Sequence, residues 1–408
     1  MEIYEGSVGK PMMSATLRNL RDFPRALTWS ALTSGLLIVL ISCTGPVAMV
    51  LQAARVGHFN QNQTASWLWA CWVGSGVFGL LLSLRYRIPI IGAWSTPSVA
   101  LLITGLADHS LAEAVSAYLV SAALIILVGI TGIFQKLLDL VPRPVIMAML
   151  AGVLFDFGVE LFRQLPTDPA IVIAMLLAYF IARRFGWRAP VVSSLLIGLL
   201  VAFLLDEVKT PHLSWALANP VFVSPEFSIS SMLTLALPLT LLTLTTQYAP
   251  GMAVLTNSGY PTPTNTALIF GGALSFLGSP FLGSGVNSAA ITAAIGAGPE
   301  AEPDATRRYT AGVVCGLTYI LIGLMGATMV GLFGTLPSAL LAALAGLGLL
   351  PAIGSSTHDS LSDPQYREAA MVTLLLTVSG MHPLSLGAPF WGLLAGVATH
   401  LIAKRIRA

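Results

Sequence analysis

Two clusters of small polar residues lie in otherwise apolar sequence, far apart in the chain. The first is Ser95-Thr96-Pro97 and the second is Asn287-Ser288. Hydroxyl and amide side chains of this kind begin α-helices, and a helix N-terminus presents unpaired N–H groups and about half a positive charge. Two such helix ends facing each other would bind an anion without any lysine or arginine. The alternative is that Ser95, Thr96 and Asn287 only cap their helices.

Further polar residues within apolar runs extend this candidate site. Gln247 lies three residues before Pro250, where its amide would bind either a substrate or the backbone groups that the proline frees. Thr44 has the matching place before Pro46, although such a hydroxyl also bonds the carbonyl one turn back. Asp156 is the candidate carrier of a coupling proton, since desolvation raises the pKa of a carboxyl group. The alternative is that Asp156 is solvated or ion-paired.

The composition indicates a membrane protein. The chain has 408 residues, of which 55% are hydrophobic and only 9% are charged, whereas soluble domains carry about 25% charged residues. A net charge of +2 leaves no basic track for nucleic acid. The three cysteines lie in apolar runs and predict neither a disulfide framework nor a metal site. Because no catalytic or cofactor-binding motif is recognised, we expect neither an enzyme nor a cofactor.

The hydropathy pattern predicts fourteen transmembrane segments, since about 20 apolar residues are needed to cross the hydrocarbon core. The segments fall at 27–51, 64–84, 89–106, 111–134, 145–162, 170–182, 190–205, 229–254, 267–281, 284–297, 309–333, 338–353, 368–381 and 385–403.

The third and tenth segments are too short for a full helical crossing. Residues 89–93 and 280–285 are predicted to enter the membrane as extended stretches, each followed by a short helix. Ser95 or Thr96 is the predicted N-cap of the first short helix, and Asn287 or Ser288 is the predicted N-cap of the second. Short, interrupted segments at matching places in two halves are typical of a transporter binding site.

The two halves also resemble each other. Residues 44–51 are similar to 248–255, and 92–100 share a layout with 283–291; the alternative is chance similarity of apolar sequence. Seven segments separate the copies, so the second copy would be inverted in the membrane. A cytoplasmic N-terminus places nearly all basic residues on the cytoplasmic side, so both termini are predicted to be cytoplasmic. The polar residues 1–26 predict a surface helix rather than a cleavable signal.

Five stretches, in order along the chain, carry a resemblance to a known family: 93–102, 247–255, 289–295, 298–311 and 389–396. They resemble the benzoate:proton symporter family, the benzoate membrane transport proteins. The likeness extends from about residue 14 to residue 403. This family is similar to the uracil-permease-like fold.

The resemblance implies an all-α polytopic membrane protein of seven-plus-seven inverted repeats. It implies a core domain of segments one to four and eight to eleven, and a gate domain of the remaining segments. The substrate would lie between segments three and ten. The corresponding boundaries are a cytoplasmic N-terminal segment at 1–26, core domain at 27–134 and 229–333, and gate domain at 143–205 and 338–403.

The resemblance further implies proton-coupled symport of benzoate or a similar aromatic carboxylate across a bacterial-type inner membrane. It places the substrate near Ser95, Thr96, Gln247 and Asn287. Related nucleobase carriers have an acidic residue in span eight, near the place of Gln247 here. A neutral amide there suits an anionic substrate but leaves the proton carrier unidentified. A nucleobase or inorganic-anion transporter and an anion channel stay open as alternatives. Related folds often form homodimers, although no residue here locates an interface.

Overall fold

The fold is almost wholly helical, with one short β-ribbon. The computed structural model describes residues 12–43, 45–134, 136, 142–187, 190–207, 216–289, 292–299, 301–381, 383 and 388–407. Its elements are α1 Met12–Ala26, α2 Trp29–Cys43, α3 Gly45–Val56, α4 Gln61–Tyr86, β1 Gly92–Ala93, α5 Thr96–Asp108, α6 Leu111–Thr131, α7 Arg143–Arg163, α8 Pro169–Arg184, α9 Pro190–Leu204, α10 Ile229–Asn257, α11 Thr264–Gly278, β2 Asn287–Ser288, α12 Ala293–Ala297, α13 Tyr309–Leu324, α14 Gly326–Gly334, α15 Ser338–Leu361, α16 Arg367–Val378 and α17 Ala388–Arg407.

Six helical stretches within the described residues are long and apolar enough to cross a membrane. They are α2 with α3, α4, α6, α7, α10 and α15. A seventh is α13 with α14, which are bent by 73° relative to each other. Every one of the fourteen predicted segments overlaps a helix or one of the two strands. The membrane character is confirmed, whereas the number of crossings stays a prediction.

Helix α1 lies before the first of these stretches, where a surface helix was expected. Its Arg18 and Arg21 are exposed. The side-chain amide of Asn19 donates to the backbone carbonyl of Leu84 at 2.6 Å, and this bond ties α1 to the end of α4.

The first turns of two long helices have their backbone N–H groups satisfied by side chains. Asn60 and Gln63 form a capping box at the start of α4, and Ser110 and Glu113 form one at the start of α6. Such reciprocal bonds satisfy donors that would otherwise be orphaned at a helix end.

Two pairs of helices pack face to face around the ribbon. Helix α4 packs along α13, and α6 packs along α11. A Cβ atom added at Gly76 would stand 2.6 Å from the backbone oxygen of Gly316, and one added at Gly316 would stand 2.7 Å from the backbone oxygen of Gly76. Small residues at this crossing therefore bring the backbones of α4 and α13 into direct contact.

A second group of helices packs beside the first. Helix α7 packs along α15 and α16, α8 packs on α9 and α15, and α16 packs on α17. The contacts between the two groups are made chiefly by α3, α5 and α10 against α7 and α15. These three helices also carry or adjoin the polar residues singled out in the sequence.

Candidate functional site

The strands β1 and β2 form a two-stranded antiparallel ribbon between the two halves of the chain. Gly92 pairs with Ser288 and Ala93 pairs with Asn287. The N–H of Ala289 donates to the carbonyl of Ile91 at 2.9 Å, which extends the ribbon by one bond. Irregular backbone inside a membrane protein must have its polar groups satisfied by protein. Strand β1 lies within the predicted extended stretch 89–93, and its partner satisfies it. The prediction that 280–285 is extended is wrong at its start, because Ser279–Phe281 form a 3₁₀ turn and β2 follows only at Asn287–Ser288.

Glycine at position 92 is required by the helix behind the ribbon. A Cβ atom added at Gly92 would stand only 1.9 Å from the backbone oxygen of Ser75 in α4. Conversely, a Cβ atom added at Gly79 in α4 would stand 2.9 Å from the backbone nitrogen of Gly92. Strand β1 therefore lies directly on the backbone of α4, and this contact fixes its depth in the fold.

Ser95 is the N-cap of α5, as predicted from the sequence. Its Oγ accepts a hydrogen bond from the N–H of Ser98 at 3.2 Å, and its carbonyl accepts one from the N–H of Val99 at 3.0 Å. Ser95 is buried, whereas Thr96, the first helical residue, is partly exposed. Pro97 has no N–H and the N–H of Ser98 is bonded, so two of the four orphan donors at the start of α5 are absent or satisfied.

The prediction that Asn287 or Ser288 caps the second short helix is wrong. Both residues lie in β2, and α12 begins at Ala293 after Thr292. Pairing with β1 holds 287–288 extended, and an N-cap must directly precede its helix. Helix α12 has five residues and its Thr292 makes no side-chain capping bond. The expected pair of matched helix ends is therefore reduced to the end of α5.

Asn287 and Ser288 instead supply polar side chains from the ribbon. Asn287 is 0% exposed and Ser288 is 1% exposed. Within the described residues, Asn287 Nδ2, Asn287 Oδ1 and Ser288 Oγ are buried and have no hydrogen-bond partner. An unpartnered buried polar group costs about 1–3 kcal/mol. Consecutive strand residues point to opposite faces, so the amide of Asn287 lies on one face of the ribbon and Ser288 Oγ on the other. The two unpartnered atoms of the Asn287 amide indicate a place that a ligand completes.

Helix α10 brings Gln247 to the ribbon. A Cβ atom added at Gly251 would stand 2.8 Å from Ser288 Oγ, and Gln247, one turn earlier, shares that side of the helix. Gln247 is buried, and residues 243–248 form a turn of π-helix. Such turns are frequent at functional sites. Both interpretations of Gln247, substrate ligand or partner of the backbone near Pro250, stay predictions.

Four residues that sequence reasoning missed hold the ribbon in place. Ser98 Oγ lies 3.3 Å from Thr243 Oγ1 and thereby joins α5 to α10. Tyr248 donates its hydroxyl proton to the carbonyl of Val286 at 3.2 Å, and Ser275 Oγ accepts from the N–H of Val286 at 2.7 Å. Thr243 could have been identified from the sequence, because it lies one helical turn before Gln247. The contacts of Tyr248 and Ser275 are tertiary and had no local signal.

The remaining predicted site residues are not brought to the ribbon by the described structure. Thr44 lies outside the described residues. Asp156 is exposed on α7, and Glu160, one turn later, accepts from Gln164 and lies 3.7 Å from Arg163. Asp156 is exposed, whereas Ser95, Asn287 and Ser288 are buried, and its role as a proton carrier stays a prediction.

The site is neutral, and its neutrality follows from the sequence of every stretch that builds it. Residues 89–100, 243–252 and 283–289 contain no Asp, Glu, His, Lys or Arg. No group of three or more His, Cys, Asp or Glu side chains that could hold a metal occurs within the described part of the chain. The site therefore offers amide, hydroxyl and backbone groups for recognition.

A polytopic helical membrane protein whose two interrupted segments meet in a buried polar ribbon has the form of a membrane transport protein. The chain belongs to the benzoate membrane transport protein family, because the model of that family matches residues 26–402.

Two relatives are similar in sequence to nearly the whole chain, and both support this family. The benzoate membrane transport protein of Acinetobacter baylyi is 43% identical over 390 residues, covering 95% of this chain and 99% of the relative. The inner membrane protein YdcO of Escherichia coli is 39% identical over 380 residues, covering 92% and 97%. Both relatives are named as membrane proteins, and the family is named for transport rather than for an enzyme activity.

The fold is similar to that of a solved anion transporter. The transmembrane domain of the cyanobacterial bicarbonate transporter BicA matches with a TM-score of 0.57, covering 92% of this chain and 96% of that chain. The sequences are 14% identical, so this likeness concerns the fold alone.

Proposed function

We propose that the chain is a secondary transporter that carries benzoate, or a similar aromatic carboxylate, across the inner membrane together with a proton. The observation that carries the proposal is the buried amide of Asn287, which has no hydrogen-bond partner among the described residues, in the ribbon where two interrupted segments meet. The name of the Acinetobacter baylyi relative supplies the substrate to test first. A carboxyl group is a fitting guest for an amide and hydroxyls, and an apolar surround suits a ring.

The pattern of helix packing supports the proposed inverted repeat. If segments are counted in chain order, α4 on α13 is segment two on eleven, and α6 on α11 is segment four on nine. Adding seven to segment two gives segment nine, and subtracting seven from segment eleven gives segment four, so the first pair becomes the second. The same operation converts α8 on α9 into α16 on α17. A fold made of two inverted copies would have this symmetry.

The same packing supports a core domain and a gate domain with the boundaries expected from the sequence. The ribbon, α5 and α10 belong to the proposed core. Helices α7 and α15 belong to the proposed gate, and they face α5, α10 and α3. Relative movement of the two groups would expose the ribbon to each side of the membrane in turn.

Coupling to a proton has an energetic reason. Bacterial membranes are negative inside, so each entering anion is opposed by ~2.3 kcal/mol per 100 mV. A proton that enters with a carboxylate removes this electrical cost and adds the pH gradient as a driving force. Proton coupling is therefore part of the proposal.

The alternatives are a nucleobase or inorganic-anion transporter of the same fold and an anion channel. The absence of an acidic side chain at Gln247 and throughout 243–252 disfavours nucleobases. A channel would conduct anions electrogenically and without regard to a pH gradient.

Uptake by the full chain in proteoliposomes tests these possibilities. Radiolabelled benzoate is offered with and without an inward proton gradient, and unlabelled uracil, sulfate and bicarbonate are the competitors. We expect gradient-stimulated uptake that only aromatic carboxylates compete. Electrogenic flux that ignores the gradient would establish a channel, and competition by uracil or by the inorganic anions would establish another substrate class.

A further inference from the structure

The amide of Asn287 offers a hydrogen-bond donor and a hydrogen-bond acceptor in one plane. Both Nδ2 and Oδ1 are buried and unpartnered within the described residues. A carboxylate has acceptors only, so it would engage Nδ2 and leave Oδ1 facing negative charge. A neutral carboxylic acid has one O–H donor and one C=O acceptor, which match Oδ1 and Nδ2 together. The unpartnered pair therefore fits the protonated form of an acid.

The face of the ribbon that carries Asn287 is not sealed. Ala93 is directly opposite Asn287 in the ribbon, and directly opposed side chains lie on the same face. Ala93 is partly exposed, as is Thr96 at the start of α5. A ligand therefore has an approach to the amide.

In the part of the chain that the structure describes, the helices packed against the ribbon carry no countercharge near it. Helices α10 and α11 contain no acidic or basic residue, α4 has none before Arg85, and α5 has none before Asp108. The phenol of Tyr248 is bonded to the carbonyl of Val286. In α7, which packs against α5, the charged residues are Arg143 at one end and Asp156, Glu160 and Arg163 towards the other.

The helix end beside the ribbon is a weak anion site. Ser95 already accepts the N–H groups of Ser98 and Val99, and Pro97 has none. The dipole of α5 lowers the pKa of a carboxyl group at its end by at most about 1.5 pH units. Burial without a countercharge raises that pKa by up to ~3–5 pH units. Together these two effects bring a carboxylic acid with a pKa near 4 in water to a pKa of about 5.5–7.5 in the site. A hydrogen bond from its O–H group to Asn287 Oδ1 exists only in the neutral form and raises that pKa further, which favours the protonated acid at neutral pH.

We infer that the coupled proton travels on the substrate, which Asn287 binds as the neutral carboxylic acid through two hydrogen bonds. This inference rests on the proposed function. At the outer side the carboxylate takes a proton from a hydronium ion: an O–H bond of the hydronium ion breaks, the O–H bond of the acid forms, and the acid enters without net charge. The same O–H bond breaks at the inner side, where the proton and the carboxylate return to water. No side chain has to carry the proton.

Binding to the full-length protein in detergent, measured by calorimetry, tests the inference. Benzoate titrations between pH 5.5 and pH 8, in buffers of different ionisation enthalpy, give the dissociation constant and the protons taken up. Para-substituted benzoates of similar size but different acidity form a second series. Benzamide, which is neutral and has donor and acceptor together, and benzenesulfonate, which stays anionic, are the competing probes.

We expect uptake of one proton per benzoate at neutral pH and a dissociation constant that rises about tenfold per pH unit. At fixed pH the affinity should fall about tenfold per unit decrease in the pKa of the acid. Benzamide should compete and benzenesulfonate should not. Asn287→Leu should abolish binding of benzoate and benzamide alike. The matched control is Asn265→Leu, at an exposed amide of α11.

Three results would overturn the inference, and the wild-type protein alone can give each of them. A dissociation constant independent of pH, with no proton uptake and competition by benzenesulfonate, would show that the anion binds. Proton uptake with an affinity independent of ligand acidity would place the proton on a side chain. Either result leaves benzoate transport standing. Absence of benzoate binding at every pH, in folded protein, would overturn the proposed function as well.

Discussion

Ser288 and Gly251 are in direct contact, because a Cβ atom added at Gly251 would stand 2.8 Å from Ser288 Oγ and 2.6 Å from the carbonyl oxygen of Ala289. Helix α10 thus touches β2 through a residue that has no side chain. This contact sets the distance between Gln247 and the ribbon, and it makes position 251 a sensitive test of the site.

Gly251→Ala should displace β2, since backbone atoms cannot move aside as a flexible side chain does. Overpacking of this kind costs about 1–3 kcal/mol of folding stability, and benzoate affinity should fall because β2 carries Asn287. Calorimetric titration measures that affinity. Gly354→Ala is the matched control, because nothing lies within 4 Å of a Cβ atom there. Equal losses in both variants would mean that the effect is not local to the ribbon.

Asn287→Leu should abolish gradient-driven benzoate uptake without lowering the unfolding temperature. The substitution removes two buried polar atoms that have no partner within the described residues, and each costs about 1–3 kcal/mol to leave unsatisfied. Thermal unfolding in detergent, measured beside uptake in proteoliposomes, separates the two effects. A variant that unfolds at a lower temperature but still transports benzoate would show that Asn287 is structural.

Ser95→Ala should weaken benzoate binding and lower stability modestly. It removes the side-chain bond to the N–H of Ser98, and loss of an N-cap costs about 0.5–2 kcal/mol. Ser95→Asn should recover the stability, since asparagine also caps helices. Unchanged benzoate affinity in both Ser95→Ala and Asn287→Ala would contradict the assignment of the site.

The proton stoichiometry should survive removal of titratable side chains. His109 is a candidate carrier by its burial: its Nε2 lies 2.8 Å from Thr234 Oγ1, and its Nδ1 lies 3.7 Å from Glu113. His109→Gln and Asp156→Asn should each still take up one proton per benzoate at neutral pH, because the proton is assigned to the substrate. Loss of proton uptake in Asp156→Asn would restore Asp156 as the carrier.

The sequence was sufficient to predict the membrane class, the interrupted segments and the cap of α5. These features depend on local chemistry: a long apolar run, a proline and a serine at the right spacing. Ser95 illustrates this, since its role needs only the four residues that follow it.

The features that could not be predicted depend on contacts between distant residues. Strand β2 consists of only two residues, and nothing in Asn287-Ser288 distinguishes a helix start from a strand until β1 is placed beside it. No periodic pattern in the sequence predicts the π-helical turn at 243–248 or the bend of 73° between α13 and α14. Thr44 lies outside the described residues, so its predicted role is untested.

The ribbon also has a consequence for how the protein is made. Gly92 leaves the ribosome long before its partner Ser288, so the backbone groups of β1 cannot be satisfied by β2 while the first half is being inserted. Helix α4, on whose backbone Gly92 lies, is already made by then. Formation of the site must therefore be a late event in biogenesis, and a nascent chain that ends before β2 should be recognised by membrane proteases as incomplete.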